Sequence, residues 1–152
     1  MVLTDWTLTG TGTGALDAAQ KYNGNSSLKL TNAKVATHNT FSAVNARMYM
    51  WLRATGTSYV KPRCGGTAYG YLEPTSGVGL TWSYHRLTFW YDLGSNTKFG
   101  RYEKWNDPNW TQIGTDTNFG AGAPAANSFY LGTYGSGNHS VWFDDVELWE
   151  AV

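Results

Sequence analysis

Apolar and polar residues alternate with a period of two along short stretches, and clusters of Gly, Asn, Asp and Pro close each stretch. That pattern belongs to strands with one buried face and leaves little room for helix. It predicts strands over Leu3–Thr9, Ala15–Ala19, Ser27–Thr31, Ala36–Phe41, Arg47–Ala54, Ser58–Arg63, Thr67–Glu73, His85–Tyr91, Phe99–Trp105, Thr111–Gly114, Ser128–Tyr134 and Val141–Trp149. The breakers between them, such as Asn23-Gly24-Asn25, Pro74–Gly79 and Asn118–Asn127, are too short for interdomain linkers. The run Gly120–Ala126 is expected to be a crossover loop between sheets. A single all-β domain over residues 1–152, an antiparallel β-sandwich with little or no helix, is the expected architecture.

Alternation also assigns faces. In Arg47–Ala54, Met48, Met50 and Leu52 share the core side, and Tyr49, Trp51 and Arg53 share the other. In His85–Tyr91, Leu87, Phe89 and Tyr91 oppose Arg86, Thr88 and Trp90. Arg101, Glu103 and Trp105 lie opposite Tyr102 and Lys104. If these strands and Ser58–Arg63 share one sheet, its outer surface carries Tyr49, Trp51, Arg53, Arg63, Arg86, Trp90 and Arg101. Eight Trp and ten Tyr in 152 residues are an aromatic excess, of which about half are expected to fill the core. Aromatic rings on a rigid sheet suit the stacking of sugar rings, with Arg and other polar groups binding the hydroxyls. The competing reading of each ring is core packing. A site at the loop edge is the second arrangement, with Tyr69, Tyr71, Trp105, Trp110 and Tyr134 as its rings.

Several function classes are disfavoured by what is lacking. Eleven Lys plus Arg balance eleven Asp plus Glu, so no nucleic acid or anionic membrane is expected as partner. No run of about eighteen apolar residues exists, so no membrane insertion is expected. The opening Met1-Val2-Leu3-Thr4-Asp5-Trp6 has no basic and apolar leader, so no signal peptide is expected in this chain. Cys64 has no second cysteine to pair with and reads as a small buried residue, since nothing ties it to His38, His85 or His139. Gly10-Thr11-Gly12-Thr13-Gly14 lacks the helix that a phosphate cradle requires.

The closing strand Val141-Trp142-Phe143-Asp144-Asp145-Val146-Glu147-Leu148-Trp149 resembles the last strand of jelly-roll carbohydrate-binding modules and of concanavalin-like, LamG-like lectin domains. Tyr22-Asn23-Gly24-Asn25-Ser26-Ser27-Leu28-Lys29-Leu30 is similar to an early turn and strand of those modules. Trp82-Ser83-Tyr84-His85-Arg86-Leu87, with Arg101-Tyr102 and Asn109-Trp110, is similar to a later strand and hairpin of the lectin-like group. The resemblance implies a jelly roll that binds polysaccharide or another glycan, as an extracellular module or on a virion surface. It also implies a structural calcium ion at Asp144 or Asp145. Alternation places Asp144 with Val146 and Leu148 on the core side, where a carboxylate needs a cation or several N–H donors.

Catalysis is not expected, because glycoside hydrolysis needs two carboxyl groups facing each other across a cleft and the acids here are scattered. The rival reading is a structural virion protein, such as a capsid decoration, fibre or tail component, or another self-assembling jelly roll. In that case the same aromatic and Arg face is a homo-oligomer or virion interface. A Met start without an export signal fits that self-standing form.

Overall fold

The computed structural model describes residues 6–32, 35–38, 45–55, 58–64, 67–68, 81–121, 127–133 and 140–150. Among them are thirteen strands and no helix: β1 (Trp6–Thr9), β2 (Gly14–Asp17), β3 (Ser27–Thr31), β4 (Val35–His38), β5 (Ala46–Ala54), β6 (Ser58–Cys64), β7 (Thr67–Ala68), β8 (Ser83–Asp92), β9 (Thr97–Asn106), β10 (Asn109–Gln112), β11 (Thr117–Ala121), β12 (Asn127–Thr133) and β13 (Ser140–Glu150). They form two antiparallel sheets. The smaller runs β1-β4-β12-β6-β7 and the larger β10-β9-β8-β5-β13-β3-β2, with β11 also pairing with β9. β10 meets residues 103–106 of β9 and β11 meets residues 97–100, so the two share one edge.

The sheets close on one apolar core. Leu28, Leu30, Met48, Met50, Leu52, Leu87, Phe89, Tyr102, Val141 and Phe143 of the larger sheet meet Ala36 and Leu131 of the smaller. Fully burying one such Leu, Met or Phe side chain contributes about 1.5–3 kcal/mol. Register confirms the alternation read from the sequence. Met48 pairs with Leu87 and Leu87 with Tyr102, all on the inner face. One step along, Tyr49 pairs with Arg86 and Arg86 with Glu103, so these project outward.

Three sequence expectations need correction. The stretch expected to be loop from Asn118 contains β11, which bulges against β9 between Asn118 and Ala121. Its Phe119 is buried and reaches Phe89 at 6.3 Å. One large ring delivered to the core outweighs the local breakers. Arg63 does not share the face of Trp51, because β6 belongs to the smaller sheet. Asp144 does not share the core side with Leu148. Val141 and Phe143 face the core, but the register slips between Asp144 and Glu147, where Asp145 has φ +44°. This bulge uses one extra residue, so Asp144 pairs with Trp51 while Leu148 again pairs with Met48 in the core.

Strand ends have local causes. β2 stops at Asp17 because its Oδ1 accepts the N–H groups of Ala19 and Gln20, which turns the chain. β9 and β10 turn at Asp107–Pro108, and β10 starts two residues earlier than alternation suggests. Residues 69–80, 122–126 and 134–139 lie outside the described part, and with them Tyr69, Tyr71, Tyr134, His139 and most of the expected crossover loop.

Candidate functional site

The outward side chains of β5, β8, β9 and β10 form a continuous belt of rings across the larger sheet. Trp51 stacks on Tyr84 at 5.1 Å between centroids. Tyr84 meets Trp110 at 5.5 Å, and Trp110 meets Trp105 edge-on at 5.3 Å. Tyr49 touches both Tyr84 and Trp110, at 6.1 and 6.0 Å. The register is the cause: Trp51 pairs with Tyr84, and Trp105 pairs with Trp110 across the β9–β10 hairpin. Trp105 and Trp110 therefore belong to the sheet face and not to a separate loop edge.

The far end of the belt comes from outside the sheet. Tyr22, between β2 and β3, lies on Trp51 with centroids 3.6 Å apart and planes 14° from parallel. Trp82 meets Tyr22 edge-on at 6.2 Å. Tyr22 is 47% exposed, so it, and not the indole beneath, presents the outer ring surface here.

Charged groups border the belt in pairs. The Nε of Arg86 donates to Oε2 of Glu103 at 2.7 Å, and its guanidinium sits 4.4 Å from the centre of Trp110. Arg101 donates through Nε and Nη2 to the two oxygens of Asp116, each at 2.7 Å, and lies 5.6 Å from Trp90. These bonds from Arg101 hold the Asp116 carboxyl below its ordinary range. Burial, with Glu147 nearby, pushes the Tyr84 phenol up. Trp90 in turn stacks on its register partner Phe99 at 5.5 Å.

Beside these groups runs an open groove of about 680 Å³, lined by Arg47, Arg86, Thr88, Trp90, Arg101, Glu103 and Trp149 among others. A smaller hollow of about 350 Å³, lined by Arg47, Tyr49, Tyr84, Glu147 and Trp149, adjoins it through Arg47 and Trp149. Trp149, 62% exposed, stands over this junction. Fixed rings, N–H forks and carboxylate oxygens on one surface can cover an apolar ring face and bond the hydroxyls at its rim.

Of the residues singled out from sequence, Tyr49, Trp51, Arg86, Trp90, Arg101, Trp105 and Trp110 share this face. Arg53 is committed elsewhere: Nη1 donates to Gln20, the guanidinium lies 5.4 Å from Trp142, and Nε is buried without an acceptor. The smaller sheet carries Arg63. Tyr22, Trp82, Tyr84 and Trp149 were missed as site residues. Tyr84 follows the same alternation as Arg86 and could have been found by extending β8, whereas Trp149 already lies in the expected last strand, opposite Leu148. Tyr22 carries no such signal, because its position depends on a loop docking on a strand 122 residues away.

Asp144 is 1% exposed beneath that loop. Its Oδ2 accepts the N–H groups of Tyr22 and Asn23 at 2.8 and 3.1 Å, and its Oδ1 accepts that of Asp145 at 2.9 Å. Asn23 also donates from Nδ2 to Asp145 at 3.3 Å. Calcium takes six to eight oxygen ligands, whereas the atoms facing Asp144 are amide hydrogens. Among the described residues no group of three or more His, Cys, Asp or Glu could hold a metal. The residues as arranged do not fit a calcium ion at Asp144.

This architecture is an antiparallel jelly-roll β-sandwich. No protein-family model matches the chain, and no curated protein matches it. Among solved structures it is similar to a functionally unknown protein from Saccharomyces cerevisiae, with TM-score 0.58 and 9% identity over 93% of this chain and 97% of that one. It is similar to a family 16 carbohydrate-binding module, with TM-score 0.53 and 13% identity over 97% and 92%. It is also similar to part of the enzymatically active domain of tailspike protein 4 from bacteriophage CBA120, with TM-score 0.54 and 15% identity over 99% of this chain and 20% of that one. No helix among the described residues is long and apolar enough to cross a membrane.

Proposed function

We propose that the chain is a non-catalytic carbohydrate-binding module whose larger sheet binds a glycan on its outer face. The observation that carries this reading is the ring belt from Tyr22 to Trp105, bordered by the Arg86–Glu103 pair and opening onto the groove at Trp149. Sugar rings stack on the indoles and phenols, and the paired Arg and carboxylate groups donate to and accept from vicinal hydroxyls. No reacting group is required for this role. A place in a secreted protein or on a virion surface suits such a module.

The rival reading, an assembly interface in a virion or other self-associating protein, uses the same face. The exposure of Trp149 over the groove, at 62%, suits such an interface as well as a free binding surface. Intrinsic Trp fluorescence titrated with soluble β-glucan, xylan, mannan and polyuronate separates the two, with light scattering on the same sample. The expected result is a monomer giving a saturable shift that Trp110→Ala and Trp90→Ala weaken. A stable oligomer silent to all four polymers would sink the glycan reading.

A further inference from the structure

We propose that Asp144 is a positioning residue for the binding face: it holds Tyr22 down on the sheet, so that Tyr22 and not Trp51 offers the stacking ring. This rests on the glycan reading above. Asp144 pairs with Trp51 in register, so its carboxylate and that indole are neighbours on the outward side of β13 and β5. Two of the three N–H groups that satisfy the carboxylate belong to Tyr22 and Asn23. A carboxylate buried to 1% exposure is tolerable only with such donors. Burying the charge and seating the loop are thus one event.

The remaining loop contacts set the direction but not the last residues. Asp17 turns the chain after β2, Arg53 holds the Gln20 side chain, and the Ser27 hydroxyl donates to the Gln20 carbonyl. All of these act at Ala19, Gln20 or Ser27, beside the segment that carries the ring. Asp144 takes the backbone of Tyr22 itself, and Asp145 adds the Asn23 side chain. With its amide fixed, the Tyr22 ring lies on Trp51 at 3.6 Å, covering one face of that indole. Its own 47% exposure and the edge of Trp82 make Tyr22 the accessible end of the belt.

The test measures affinity for whichever of β-glucan, xylan, mannan or polyuronate binds the intact protein, in Tyr22→Ala, Asp144→Ala and their double variant. Loss of a stacking ring is expected to weaken binding about tenfold. Asp144→Ala is expected to match it, and the double variant to be no weaker than either single one, since both remove the same ring from the face. Multiplying effects in the double variant, or no effect of Tyr22→Ala, would overturn the inference while leaving the glycan reading intact.

A ligand-free measurement guards against variants that fold poorly. Acrylamide quenching assigned to Trp51, by difference from the matching Trp51→Phe proteins, is expected to rise in Asp144→Ala and in Tyr22→Ala. If none of the four polysaccharides binds the intact protein, the glycan reading fails, and this quenching alone judges Asp144. Unchanged quenching in Asp144→Ala refutes the positioning role.

Discussion

The Tyr102 hydroxyl lies 2.8 Å from Nδ1 of His85, between the two sheets where both side chains are buried. The other ring nitrogen, Nε2, meets the Ser83 hydroxyl at 2.6 Å. Both nitrogens of the imidazole are therefore partnered without a carboxylate in the set. Burial, with Lys104 adding repulsion, pushes the imidazole down to about 3. Burial likewise pushes the Tyr102 phenol up, so it remains a neutral hydroxyl.

The unfolded chain binds a proton at this histidine near pH 6.5 while the folded one does not, so the proton favours unfolding. Stability is expected to fall by about 1.4 kcal/mol per pH unit from this site as pH drops from about 6.5 toward 4. Asp17, Asp92 and Asp116, whose carboxyls are lowered in the fold, lose their contributions only below that window. Urea midpoints measured across it check the slope. His85→Gln, which still offers a donor and an acceptor, is expected to flatten it, and a slope that persists would move the effect elsewhere.

How far the sequence could be read depended on how local each determinant was. Tyr49, Trp51, Arg86, Trp90 and Arg101 were placed on one face because β5, β8 and β9 alternate without interruption. Arg63 alternates equally well but belongs to the other sheet, and strand pairing is not a local property. Counting by twos failed at Asp144 because one positive-φ residue, Asp145, resets the parity of β13. Tyr22 was hidden for another reason. Its place on Trp51 follows from the Asp144 carboxylate, which the same parity error had turned toward the core.

That bulge leads to a second prediction. At φ +44° an Asp is tolerated, but a β-branched residue meets its own backbone. Asp145→Val is expected to cost about 1–2 kcal/mol. Asp145→Gly removes the steric strain but loses the Asn23 contact, so it is expected to stay within about 0.5 kcal/mol of the parent. Chemical denaturation of the two variants checks the order. Equal losses would mean that the side-chain contact, not the backbone conformation, sets the cost.

The donor set at Asp144 makes a third prediction, about metal. Three N–H groups already occupy the carboxylate, so calcium has to displace them and move the segment carrying Tyr22 and Asn23. Thermal unfolding with added calcium and with excess EDTA is expected to give the same Tm. A calcium-dependent rise would show that the loop can turn its carbonyls inward, and that the N–H arrangement is one of two states.

Gly12 carries a fourth. A Cβ added there would overlap the backbone oxygens of Thr31 and Asn32, and the far end of a flexible side chain is not what it meets. Thr31 is tied to Thr13 by its N–H to the Thr13 carbonyl at 2.9 Å and by the paired hydroxyls. The backbone therefore has little freedom to retreat. Gly12→Ala is expected to cost more than about 2 kcal/mol, in the range of overpacking. Gly24→Ala, with open space around its Cβ but φ +63°, is the control and is expected to cost about 1 kcal/mol. Denaturation midpoints that rank the two the other way would place the constraint in torsion and not in contact.

The last prediction separates what holds the face together from what it binds. Arg86 and Glu103 are 19% and 10% exposed as side chains, bonded at 2.7 Å, with the guanidinium over Trp110. Removing one partner leaves the other charge largely buried, and Arg86→Met alone is expected to cost about 2–4 kcal/mol. Replacing both by Met removes the stranded charge and is expected to recover most of that loss, because a largely buried ion pair and an apolar pair of similar size are close in stability. Glycan affinity is expected to remain low in the double variant, since neither the N–H fork nor the carboxylate is left to meet hydroxyls. Urea denaturation and polysaccharide titration on the three proteins read the two properties apart. If affinity returned with stability, the pair would serve only to keep Trp110 in place, and the rings alone would account for binding.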